Sequence, residues 1–428
     1  MAQLRRWMGG VSRVMAVGLL VCGAGFAGPG MAQTLPSIPV NTKVGSLQVP
    51  LSCKFPLLGN QTVKLTMTGS VNNVLAPGQT FYLADASGTM EIPKTVVGLV
   101  SWLLRATTVS GTVSDMEING TNVSPASLNA MGTPLAFGPI PLVRGQTALI
   151  PIPSSSFLQV GPFTAGSVGT AQLSLGSASA TITLSGARGT IGKPLAVACA
   201  MPSPAVNLVS MTVAGSPTSA VAQPHTGLDS SDFNPPLNKQ VGVLHYSVGC
   251  TVAGLIPQTA DVTLTGTLST AFTAGVPFFI TNASGTMHLS ADSVNLLLTL
   301  NPFTTSLGGS LSDMDIVASQ TSQGTVNAAA LANIAMAQTS VARNKDVTIP
   351  IPDTGTLTIG PFTPNSTATQ TDVTIGGTTG VLQPMMSGLP AIPLPFSCSA
   401  PNPAVNLVSV TVSSASSSSS AVAKPRRR

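Results

Sequence analysis

The chain predicts an all-β protein of two tandem immunoglobulin-like β-sandwich domains, each with a short helix and one disulfide, and three observations lead there. The first is a repeat. ASGTM at 86–90 returns at 283–287, SDMEI at 114–118 returns as SDMDI at 312–316, and ALIPIP at 148–153 returns as VTIPIP at 347–352. VGPFT at 160–164 returns as IGPFT at 359–363, and PSPAVNLVSMTV at 202–213 returns as PNPAVNLVSVTV at 401–412. The offset drifts only from 197 (Cys53 to Cys250) to 199 (Cys199 to Cys398), so the copies are colinear and two units of one fold follow. The second observation is a period of two along β-branched runs. The third is composition: 7% of residues are charged, against about 25% in an average soluble domain, while the chain holds 42 glycines and 35 prolines.

Taken in order, the chain opens with an export signal. Arg5, Arg6 and Arg13 precede the apolar run Val14 to Ala27, a helix-breaking GPG and the small-residue site ending at Ala32, so residues 1–32 read as a signal peptide cleaved after Ala32. A run of about 14 apolar residues is short for a membrane span, which needs roughly 20. The first β-sandwich is expected over 36–213. In QTVKLTMTGSV, Val63, Leu65 and Met67 alternate with Lys64, Thr66 and Thr68, and QTADVTLTGTL alternates Val262 and Leu264 with Thr263 and Thr265. Similar runs recur at TAQLSLG, SATITLSG and TDVTIGG, and VNLVSMTV and VNLVSVTV close the copies.

Helical spacing interrupts the strands once per copy. Val96, Val97, Val100, Leu103 and Leu104 follow Pro93, and Val294, Leu297 and Leu298 follow Ser290. The alanine-rich NAAALANIAMAQ at 327–338 is a further helix candidate. The IPIP segments at 150–153 and 349–352 remove amides on one edge of a strand and belong at a sheet edge. Residues 214–240 form a Pro, Ser and Gly-rich linker, the second β-sandwich is expected over 241–412, and the serine-rich, basic 413–428 is a disordered tail.

The formal charge of +5 hints at nucleic acid until it is located. Three arginines lie in the leader and four basic residues (Lys424, Arg426, Arg427, Arg428) in the last five positions; the remaining 18 − 3 − 4 = 11 bases face 13 acids, leaving −2 on the body. No basic groove for phosphates is expected, and no nucleic acid as partner. The basic end suits an anionic cell-envelope polymer as partner, or is merely solvated.

Cys53 corresponds to Cys250 and Cys199 to Cys398, so only the pairing Cys53–Cys199 and Cys250–Cys398 gives both copies the same covalent structure within one domain. A zinc site built from the four thiolates would lack any short C-x-x-C spacing. None of the three histidines (His225, His245, His288) is repeated, and no HExxH, GxSxG, P-loop or dinucleotide fingerprint is present, so neither an enzyme nor a cofactor is expected. The best polar constellation is Asp115 with Glu117, matched by Asp313 with Asp315. Two positions apart on a strand, such carboxylates project from one face and could hold a calcium ion or carbohydrate hydroxyls, or simply keep a strand face solvated. Phe163 and Phe362, in GPFT, are expected to pack a turn onto the core. Asn60, Asn119, Asn122, Asn282 and Asn365 lie in N-x-S/T sequons.

The run CKFPLLGNQTV at 53–63, the IPIP segment, GPFTAGSVGTAQLSLG at 161–176 and the closing Cys199 together resemble an uncharacterised family of secreted, mostly actinobacterial all-β domain proteins with a cysteine near each domain end. The resemblance covers 40–213 well and 241–412 less well, because SVGCTVAGLIPQ lacks the Phe-Pro after its cysteine. It implies location and fold and assigns no activity. The expectation is an exported, non-enzymatic structural or adhesion-type protein of the cell envelope or extracellular space. The alternative is an exported binding protein for an apolar ligand or lipid surface, prompted by a mean hydropathy of +0.40.

Overall fold

The computed structural model describes residues 38–56, 58–154, 157–215, 235–330, 333–387, 389–390 and 392–414. The expected signal peptide with its cleavage at Ala32, most of the linker, and the tail from 415 with Lys424, Arg426, Arg427 and Arg428 lie outside them. Strand dominates the described residues, and the fold is all-β with one helix per copy.

The first copy runs β1 (Thr42–Phe55), β2 (Gly59–Asn72), β3 (Val74–Leu75), β4 (Thr80–Ile92), α1 (Lys94–Leu103), β5 (Thr108–Thr121), β6 (Val123–Ser124) and β7 (Ser127–Asn129). It continues with β8 (Leu135–Pro141), β9 (Ala148–Ile152), β10 (Leu158–Ala165), β11 (Gly169–Gly186), β12 (Gly189–Cys199) and β13 (Asn207–Val213). The second copy runs β14 (Lys239–Val252), β15 (Ile256–Ser269), β16 (Ala271–Thr273), β17 (Phe278–Leu289), α2 (Ala291–Leu300), β18 (Ser306–Ala318) and β19 (Thr325–Asn327). It ends with β20 (Ile334–Ser340), β21 (Val347–Ile351), β22 (Leu357–Phe362), β23 (Gln370–Met386), β24 (Leu389–Pro390), β25 (Leu394–Cys398) and β26 (Asn406–Ser413).

Period two explains the first layer. In β1 the odd residues Leu47, Val49, Leu51, Cys53 and Phe55 are buried while Ser52 and Lys54 are exposed. The antiparallel hairpin with β2 keeps register from Thr42↔Asn72 to Phe55↔Gly59, and β14–β15 repeats it from Lys239↔Ser269 to Val252↔Ile256. β2 then pairs β4, and β15 pairs β17. Opposite them β5 pairs β11, and β18 pairs β23. β11 is long enough to serve two partners, pairing β13 along its first part and β12 along its second. Each copy closes around its own apolar cluster, one within 47–213 and one within 244–412.

The cysteine pairing is the expected one. Cys53 lies directly across the β1–β12 ladder from Cys199, and Cys250 across β14–β25 from Cys398. The bonds close loops of 146 and 148 residues, a constraint on the unfolded chain of about 5 kcal/mol each in the loop-entropy account.

Both expected helices form. α1 buries Val96 and Val97; α2 buries Val294, Leu297 and Leu298 and is capped by Ser290, whose hydroxyl accepts from Ser293 N. Ten residues is too short for a stable isolated helix, so this packing holds them. The third candidate, 327–338, is not a helix: 325–327 and 334–340 are strands β19 and β20. Alanine propensity is a weak preference that tertiary pairing overrides. Ile334 and Met336 are buried, Ala335 between them is exposed, and the strand lies against β18. The IPIP strands β9 and β21 hydrogen-bond to β4 and β17 respectively, each along one side among the described residues.

The copies are joined by a ladder that sequence did not suggest. β1 and β14 pair antiparallel from Thr42↔His245 to Gln48↔Lys239, with Gly45 opposite Gly242 at the centre. Gly242 is the counterpart of Gly45, since 242 − 45 = 197 = 250 − 53. A pseudo-two-fold axis therefore passes through the glycine pair, and the interface is isologous, as in a symmetric dimer. The backbones approach closely there: a Cβ on Gly45 would lie 3.2 Å from Val241 O. A continuous sheet β4-β2-β1-β14-β15-β17 results. Elsewhere β13 and β26 each bond the segment that leads into the other: Thr212 donates to Ala404 O (2.7 Å) and Thr411 to Ala205 O (3.0 Å).

Candidate functional site

Beneath this junction lies a cavity of about 200 Å³. It reaches from β1 and β13 of the first copy into the core of the second, where Leu244, Tyr246 and Val248 of β14, Leu311 and Met314 of β18, and Phe396 of β25 form its walls. The first copy holds cavities of about 40 and 30 Å³. Side-chain volume accounts for part of the difference. Leu51 and Leu65, buried in the first copy, are Val248 and Val262 in the second, and both valines line the cavity. Rigid strands do not collapse to fill such a deficit.

One charged side chain lines the cavity, Lys43. Its residue is buried, and Nζ donates to Ser210 O at 2.9 Å. Burial, only partly offset by the Asp372 carboxylate, pulls its amine down from 10.5 to about 7. Around it the layer of β13, β23 and β26 carries a polar network. Asn207 donates to Ser409 O (2.6 Å), Ser210 to Asn406 Oδ1 (3.2 Å), and Asn406 to Ser409 Oγ (3.0 Å). Asp372 accepts from Ser409 Oγ and from Gln370 Nε2 (2.7 Å). Asn207 Oδ1, Ser46 Oγ and Thr68 Oγ1, on residues that line the cavity, are buried without a hydrogen-bond partner among the described residues. Burial also pushes the Tyr246 phenol up, so it stays protonated.

The acidic pairs lie elsewhere, on β5 and β18, and the two copies use them differently. A bulge places Gly176 and Ser177 of β11 opposite Glu117. The Glu117 carboxylate accepts from Ser127 Oγ (2.7 Å), Ser177 Oγ (3.1 Å) and Ser177 N (3.4 Å). These bonds hold it below the usual carboxylate range, Ser127 most of all. The corresponding bulge opposite Asp315 is Gly376–Gly377. Partial burial, and then the charge of Asp313, pushes Asp315 up. Among the described residues no group of three or more His, Cys, Asp or Glu side chains converges as metal ligands, with Asp115 and Asp313 included in that statement.

Phe163 and Phe362 are core residues, fully buried and stacked on Phe81 (centroids 5.6 Å) and Phe278 (5.2 Å). His245 Nδ1 meets Ile38 O at 2.6 Å, and His288 stands 3.9 Å from Asp261 and 3.6 Å from Asp346. His225 lies outside the described residues. Sequence reasoning missed Lys43. Its one signal was that Gln240 occupies the matching position, so the cation belongs to one copy alone.

The fold and cavity together define a duplicated, disulfide-closed all-β protein with an apolar interior site. The two disulfides fit an oxidising environment, and among the described residues no helix is long and apolar enough to cross a membrane. Residues 51–208 match the model of a family of unknown function, DUF6801. That span lies within the first copy. No curated protein and no solved structure matches the chain.

Proposed function

We propose that the chain is an exported, non-enzymatic binding protein for an apolar molecule, housed between the layers of the second copy. The observation that carries this reading is the cavity of about 200 Å³ walled by aliphatic and aromatic side chains, the form that small-molecule sites take. A folded core ordinarily packs to crystal-like density, and retaining such a void costs stability. A void of this size therefore suits a protein in which a ligand offsets that cost. The structural or adhesion reading keeps one specific support: the copies are joined by a seven-residue ladder, Thr42↔His245 to Gln48↔Lys239, which carries one sheet across both.

The test is native mass spectrometry, with solvent extraction, of the full chain purified without detergent. A co-purifying apolar compound near one per chain is the expected result. A clean apo mass, together with no uptake of a solvatochromic apolar dye, would return the chain to the structural reading.

A further inference from the structure

We propose that the cavity takes a monocarboxylate amphiphile, a free fatty acid by class, with its chain among the apolar walls of the second copy and its carboxylate on Lys43 Nζ. This rests on the apolar-binding reading above and adds to it the head group and its position, at the junction of the copies.

Lys43 is the one charged side chain that lines the cavity, and it is buried. Among the described residues its amine donates one hydrogen bond, to Ser210 O, where an ammonium can donate three. Burying an ammonium is costly unless it is paired and hydrogen-bonded. Asp372 is the acid that acts on it, but that carboxylate already accepts from Ser409 and Gln370 and does not line the cavity. Tyr246, the other titratable side chain in the walls, stays a neutral phenol. No acid in the lining therefore competes for Lys43. The Ser46 and Thr68 hydroxyls, on residues that also line the cavity, have no partner among the described residues, so donors besides the Lys43 amine are unengaged there.

A ligand carboxylate supplies what this end lacks. In a water-poor setting the ion pair is far stronger than in bulk water, and a charged hydrogen bond outweighs a neutral one. The volume bounds the tail: about 200 Å³ exceeds the roughly 150 Å³ of an apolar cavity that admits benzene, which suits a medium chain better than a long one. Binding also couples to protonation, since the anion favours the charged form of Lys43, whose amine burial otherwise brings down to about 7.

The experiment is titration of the delipidated full chain with decanoate and with methyl decanoate, for the parent, Lys43→Met and Lys43→Gln. The glutamine variant copies position 240 and guards against a folding defect in the methionine one. The parent should bind the acid at least about 10-fold more tightly than the ester, a difference of about 1.4 kcal/mol. In both variants that ratio should fall to near one. Equal binding of acid and ester by the parent, or a preference that survives in the variants, would overturn the head-group assignment while leaving apolar binding intact. No binding of either compound would overturn both.

Discussion

Laid over each other, the two copies keep one backbone register and fill it differently. Leu51, Val63 and Leu65 of the first copy are Val248, Ala260 and Val262 in the second, whereas Val49 and Val197 become Tyr246 and Phe396. The first copy packs to cavities of about 40 and 30 Å³, and the second shares one of about 200 Å³. Even a cross-strand base–acid contact is kept with its sides exchanged: Lys64–Glu91 at 3.2 Å corresponds to Asp261 facing His288 at 3.9 Å. Scaffold features survive duplication because each is fixed by pairing geometry: the disulfides, the Gly45–Gly242 centre, the GPFT phenylalanines. Core volume and interior charge are free to diverge, and they diverge around one cavity.

The largest expected effect breaks the symmetry at Lys43, which faces the interior where the second copy has Gln240. In the unfolded chain the amine has its ordinary 10.5, and in the fold it is near 7. Between those values the unfolded state holds a proton that the folded state has released, so stability should rise with pH by about 1.4 kcal/mol per unit. Below that window the full penalty of the buried charge applies. Lys43→Met removes it and should be more stable than the parent at about pH 6, by on the order of 4 kcal/mol, with the gap closing toward about pH 10. Urea unfolding across that range measures the gap. A variant no more stable than the parent at the acid end would show that Lys43 is comfortable in its charged form.

Smaller effects should come from making the second core resemble the first. Val248→Leu and Val262→Leu each return one methylene to the cavity wall, worth about 0.8 kcal/mol of burial apiece, and together should stabilise by about 1 to 1.5 kcal/mol while weakening decanoate binding. The mirror changes, Leu51→Val and Leu65→Val, should each destabilise by about 1 kcal/mol and leave binding alone. Urea midpoints and the same titration read all four. If the leucine pair stabilises without touching binding, the ligand lies elsewhere.

What the sequence revealed was whatever repeats locally. Alternation in QTVKLTMTGSV gave the hairpin, paired offsets gave Cys53–Cys199 and Cys250–Cys398, and the spacing after Pro93 and Ser290 gave the helices. The β1–β14 ladder was hidden because Val44 to Gln48 alternate in the same way on a free edge as on a paired one. Lys43 looked like any solvated strand lysine, and its partner Ser210 lies on β13, 167 residues away. The cavity comes with exchanges of both signs, Leu51 to Val248 and Leu65 to Val262 against Val49 to Tyr246 and Val197 to Phe396, with no motif to mark it. At 327–338 the alanines masked a period-two signal carried by Ile334 and Met336.

The smallest effects concern the acidic pairs, where the copies should respond with opposite sign. Glu117 is held below its ordinary value by Ser127 and Ser177, so its charged form contributes stability at neutral pH that is lost as pH falls through the folded value. Glu117→Gln should therefore lower the melting temperature slightly at neutral pH and converge with the parent in acid. Asp315 is pushed up by partial burial and by Asp313, so its charge opposes folding at neutral pH and the opposition is relieved as pH falls through the raised value. Asp315→Asn should raise the melting temperature slightly at neutral pH and likewise converge in acid. Thermal melts of both variants with and without millimolar calcium settle the role of each pair. A cation held by Asp313 and Asp315 would reverse the second result, since calcium would then stabilise the parent and not the asparagine variant, whereas the Glu117 carboxylate is already engaged by three donors and should ignore the ion.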